Sequence, residues 1–126
     1  MKTQSSQCGC SAAPKFVFPC SGASDVGGLS DQAARMMTKN GTGKMYCLAG
    51  IGGRVDAIMA NTRDAAKVLV IDGCSQECAR KTLEVAGFTR FEHLKLEEMG
   101  FKKGEAPLTP EAIRAVANRG VALLSG

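Results

Sequence analysis

The run KVLVID, residues 67–72, narrows the possible folds more than any other stretch of the chain. It is short, continuous and rich in β-branched residues. Such a run suits a strand buried on both faces, and strands of that kind belong to parallel sheets covered by helices. The flanking segments keep the same rhythm. KFVFP, residues 15–19, is a first apolar strand that ends at Cys20, and SGASDVGGLS is a Gly/Ser loop. DQAARMMTKN, residues 31–40, is helical in composition and is stopped by Gly41. KMYCLAG reads as a second strand with Cys47 near its end, GIGG as a loop, and RVDAIMANTRDA as a helix. After KVLVID comes GCSQECARKTLEVAGF, a third helix stopped by Gly87, and then RFEHLKL, a fourth strand. TPEAIRAVANRGVALLS closes the chain as a helix, with Thr109 as its cap and Pro110 in its first turn.

A β-α repeat of this kind predicts an α/β fold: a small three-layer sandwich around a mostly parallel, Rossmann-like sheet of about four strands. With 126 residues the chain is one domain's worth, enough for a continuous core without staples. We expect residues 1–14 to be a flexible tail carrying Cys8-Gly9-Cys10, and residues 15–126 to be a single α/β metal-binding domain.

Composition excludes some functions. The net charge of +4 is modest, and the basic residues are interspersed with acids. With no Trp there is little to stack bases on, so a solvated surface is expected rather than a nucleic-acid interface. No apolar run approaches the about 18 residues that span a bilayer, and no membrane association is expected. The first residues lack the apolar middle of a signal peptide, which makes a cytoplasmic protein the default expectation. The protein partner, if there is one, stays unnamed.

Six cysteines is the unusual number. In a reducing compartment such a count points to metal or redox chemistry rather than to disulfides. Cys20, Cys47 and Cys74 each fall at the carboxyl end of a different expected strand. In a parallel sheet those ends share one edge, where open α/β folds bind ligands. Cys78 adds a fourth thiol. With the third helix expected to start near Ser75, Cys74 would sit at its cap and Cys78 in its first turn, on a common face. A helix N-terminus favours thiolate, the form that binds soft and borderline metals, and four thiolates suit tetrahedral zinc. Taken singly, each cysteine reads more simply as a small buried hydrophobe.

VIDGC followed by ECARK, with PCSGASDVGGLSDQAAR and MYCLAGIGG, resembles the DGC family of zinc-binding proteins. The family is named for an Asp-Gly-Cys motif, here Asp72-Gly73-Cys74, and the resemblance runs from about Phe16 to about Lys103. It implies that zinc is held by Cys20, Cys47, Cys74 and Cys78. Cys8 and Cys10 lie outside that four-cysteine pattern.

The remaining motifs are weaker. SGASDVGG lacks the Gly-Lys-Ser/Thr ending of a P-loop and the closing arginine of a cysteine phosphatase. Ser21, Ser24 and Asp25 read as helix caps or as support for a site, with capping the simpler reading. AGIGGRV imitates a dinucleotide fingerprint but carries Val55 at the third glycine position. GTGK, residues 41–44, precedes a strand and reads as a turn. Asp72 suits a helix cap or an oxygen donor near the metal. His93 has no partner spacing and reads as structural. Cys8-Gly9-Cys10 is either plain tail or a source of extra thiolates.

Two functions of different class remain. The first is a zinc-binding module with a structural, sensing or carrier role, because four sulfurs leave no open position for a catalytic water. The alternative is a thiol-dependent redox or sulfur-transfer enzyme using Cys74 as nucleophile at a helix N-terminus. A third, weaker option is a partner-binding domain whose surface is switched by metal.

Overall fold

A computed structural model describes residues 13–125. Four strands form one all-parallel sheet: β1 (Lys15–Pro19), β2 (Lys44–Met45), β3 (Lys67–Asp72) and β4 (Glu92–Lys95). Their spatial order is β2-β1-β3-β4. The helices are α1 (Asp25–Asn40), α2 (Leu48–Gly52), α3 (Asp56–Arg63), α4 (Cys78–Val85) and α5 (Pro110–Ser125), with a 3-10 turn at Leu96–Met99. The expected α/β class with a parallel four-strand sheet is thus what the chain forms. The expectation of a tail over residues 1–14, with Cys8 and Cys10, falls almost wholly outside the described residues.

Alternation along the strands divides the core. Val17, Leu69, Ile71 and Leu94 pack with the buried faces of α1 and α5. Phe16, Phe18 and Val70 pack with Ile51, Met59 and Leu83 from α2, α3 and α4. Neighbouring residues of one strand therefore serve opposite faces, which is why β1 and β3 read as unbroken apolar runs. Phe18 is fully buried, and its truncation to Ala would cost roughly 3–5 kcal/mol.

Several boundaries differ from the sequence reading, each for a local reason. Helix α1 starts six residues earlier than DQAARMMTKN suggests, at Asp25 (25 against 31). The Ser24 side chain accepts from Gly27 N at 3.1 Å and begins the helix inside the glycine-rich stretch. Gly27 is tolerated there because Gly22 lies against it: a Cβ would stand 2.9 Å from the Gly22 nitrogen. Strand β2 is only two residues long, and the chain after it turns into α2 rather than extending to a loop. Helix α4 begins at Cys78, not near Ser75. Glu77 before it adopts φ 53°, ψ 49°, a left-handed conformation that separates the helix from the preceding turn. At the chain's end, Ala112 N donates to Thr109 Oγ1 at 3.1 Å, so the expected cap of α5 is present.

Candidate functional site

Because the sheet is entirely parallel, the carboxyl ends of all four strands lie along one edge. The strand order reverses direction between β1 and β3, which makes the crevice beyond their ends the natural ligand position. Cys20 directly follows β1, and Cys74 comes two residues after β3. Cys47 comes two residues after β2, and Cys78 opens α4. All four sequence-predicted site residues are free thiols on this edge; Cys47 and Cys78 are exposed, Cys20 and Cys74 half-buried.

Cys20 is the best anchored. Its N–H donates to Ile71 O at 2.8 Å, and its carbonyl accepts from the buried Ser30 hydroxyl. Burial pushes the Cys20 thiol up, while a hydrogen bond from the Gly22 backbone opposes that rise. The charges of Asp72, Cys78 and Cys74 add to the rise, so these groups stand within electrostatic reach of Cys20. Cys47 caps α2: its sulfur accepts from Gly50 N at 3.3 Å. Cys20 and Cys47 line a common cleft of about 530 Å³ with Ser21, Tyr46 and Thr82.

The cysteine pair around α4 differs from expectation. Cys74 is not a helix cap. It opens a turn closed by Glu77 N donating to Cys74 O at 3.1 Å. The two sulfurs therefore do not share a helical face, and Cys78 alone occupies the helix start. The helix is capped instead by Asp72, which is 1% exposed. Its Oδ1 accepts from Ala79 N at 2.8 Å and its Oδ2 from Arg80 N at 3.1 Å. His93 Nε2 lies 2.8 Å from the same Oδ2. The capping role expected of Asp72 is present, and His93 has the partner that its sequence neighbours do not reveal.

Ser24 and Asp25 act as anchors of the β1–α1 segment. Asp25 Oδ1 and Oδ2 accept from Gly104 N and Ala106 N, each at 2.9 Å, and tie the loop before α5 to the start of α1. Ser21 donates to Asp31 at 2.7 Å.

Among the described residues, no group of three or more His, Cys, Asp or Glu side chains stands in position to hold a metal ion. The four sulfurs share an edge without closing a ligand shell. Their chemistry nevertheless fits a soft or borderline cation, since thiolates are its preferred donors and the Cys47 sulfur already receives a backbone N–H group.

Comparison with known proteins gives the chain its place. The model of the DGC domain matches residues 16–119. The chain belongs to the DGC-domain family. A curated relative, the anaerobic and virulence modulator AnvM of Pseudomonas aeruginosa, is 33% identical over 88 residues, covering 70% of this chain and 67% of the relative. No solved structure matches the chain. The Asp-Gly-Cys motif of this DGC domain has a distinct structural task at each residue. Asp72 caps α4, Gly73 lets the β3–α4 loop press against α1, and Cys74 opens the turn at the edge. No helix among the described residues is long and apolar enough to cross a membrane.

Proposed function

We propose that this DGC domain is a zinc-binding module with a sensing or carrier role, in which Cys20, Cys47, Cys74 and Cys78 supply thiolate ligands. The observation that carries the reading is that four free thiols, from three strand ends and the start of α4, lie along one edge of the sheet. The Cys47 sulfur also accepts the Gly50 N–H at 3.3 Å. Backbone donors of this kind offset the negative charge that accumulates when several thiolates share one cation.

Loading draws the four sulfurs together from their present spacing. Cys47 and Cys78, both exposed, have the room to move, while Cys20 and Cys74 are held closer to the core. Zinc would neutralise the thiolates and cross-link loops from three strands, so part of its binding energy appears as stability of this edge. Filling the coordination shell with sulfur leaves no site for a bound water, which favours sensing or transfer over hydrolysis. The name of the relative from Pseudomonas aeruginosa, a modulator, supports a regulatory use of such a module.

The test is elemental analysis and thiol counting on protein purified under reductant. The reading expects about one zinc per chain and protection of these four thiols from alkylation. Protein without metal, carrying one thiol that reacts far faster than the rest, would favour the redox or sulfur-transfer enzyme instead.

A further inference from the structure

We infer that His93 is a positioning residue for the cysteine-bearing loop between β3 and α4, bracing the Asp72 end of that loop from the neighbouring strand. The inference rests on the reading of Cys74 and Cys78 as functional thiols. It adds a residue outside the cysteine set and on a strand, β4, that contributes no thiol.

The geometry is specific. The loop leaves β3 at Asp72 and enters α4 after Glu77. His93 Nε2 lies 2.8 Å from Asp72 Oδ2, at the first end. On the other side of the ring, Nδ1 stands 3.9 Å from Glu77 Oε1, at the second end. Cys74 is two residues beyond the first contact, and Cys78 is the residue after the second. Phe91 meets the His93 ring edge-on at 6.2 Å and 87°.

Capping alone does not explain this arrangement. Asp72 already holds α4 through Ala79 N and Arg80 N. Glu77 is separately held by Arg80 Nε at 2.6 Å, a contact that keeps its carboxyl below the usual range. What His93 adds is a hydrogen bond to Asp72 from another strand, with its ring standing close to Glu77. The left-handed backbone of Glu77 is unfavourable for a residue with a Cβ and persists only where its surroundings hold it, the Arg80 contact among them. The brace therefore sets where Cys74 and Cys78 stand relative to Cys20, much as outer partners orient the ligands of metal sites.

Three proteins decide the matter: parent, His93→Leu and His93→Gln. The amide of Gln reaches about as far as Nε2 and can donate to Asp72, while Leu fills the space without donating. Each is reduced, freed of metal and alkylated with iodoacetamide, and the rate at each cysteine is followed by peptide mass spectrometry. We expect His93→Leu to change the rates at Cys74 and Cys78 and leave those at Cys20 and Cys47 as in the parent. His93→Gln should restore the parent pattern. In parallel, cobalt(II) titration should show affinity weakened about tenfold in His93→Leu and recovered in His93→Gln. Unchanged rates at Cys74 and Cys78, an equal change at all four thiols, or failure of Gln to restore them would each overturn the inference. If His93→Leu does not fold, His93→Asn makes the same comparison, because its shorter amide stops short of Asp72. A parent that binds no cobalt counts against the metal reading alone, since the alkylation pattern still decides the brace.

Discussion

Gly73 presses directly on Val26: a Cβ at position 73 would stand 2.8 Å from both the carbonyl carbon and the oxygen of Val26. The loop carrying Cys74 is thereby laid against the first turn of α1, the helix that follows the Cys20 loop. This contact between backbones fixes how near the two cysteine loops can lie, and a side chain of any size disturbs it.

Gly73→Ala should therefore destabilise the protein by roughly 1–3 kcal/mol, because the opposing atoms are backbone and cannot rotate away. Urea unfolding measures this. Gly22→Ala is the control, since a Cβ there meets only Cys20 Sγ at 3.6 Å, an ordinary contact. Equal stability of both variants and the parent would show that the approach at Gly73 is not required.

Asp72→Ala should cost about 2–4 kcal/mol. It removes a buried carboxylate that caps α4 twice and strands the N–H groups of Ala79 and Arg80. Denaturant midpoints at unchanged slope would report it, and a loss below about 0.5 kcal/mol would contradict the capping role.

Cys74→Ser should lose most of the bound metal and lower the melting temperature, and a chelator should lower that of the parent in the same direction. Elemental analysis beside a thermal melt reads both. Unchanged metal content in the variant would remove Cys74 from the ligand set.

Acid should release the loop before α5. Hydrogen bonds from Gly104 and then Ala106 hold the Asp25 carboxyl below its ordinary value of 3.8. A folded pKa below the unfolded one means the contribution is complete above the ordinary value. It is lost as pH falls from about 3.8 through the lower folded value. Amide exchange at Gly104 and Ala106, measured against its intrinsic rate at each pH, should accelerate in that window in the parent. In Asp25→Asn it should be fast already at neutral pH. Protection that survives acid unchanged would show that other contacts hold the loop.

The parts of this fold that could be read beforehand are those set by local rules. KVLVID announced a strand buried on both faces, and Gly41 and Gly87 lie in the left-handed conformations that end helices. The parallel arrangement followed from alternation and brought the four cysteines to one edge. What escaped the reading was set by how particular residues meet in space. Gly27 looks like loop until Gly22 is seen folded against the helix. The Glu77 backbone, and with it the start of α4, depends on groups that surround it in space. His93 found its partner through register: pairing Val70 with His93 puts Asp72 diagonally in reach, and no spacing along the chain encodes that register.

The shortness of β2 has a consequence for traffic at the edge. It joins the sheet through two paired residues at the border, whereas β1 and β3 share five. Local opening begins where few contacts must break. The corner bearing Cys47 should therefore open before the β1–β3 centre of the edge, and under the proposed zinc-binding reading an ion would enter and leave on that side while Cys20 stays in place.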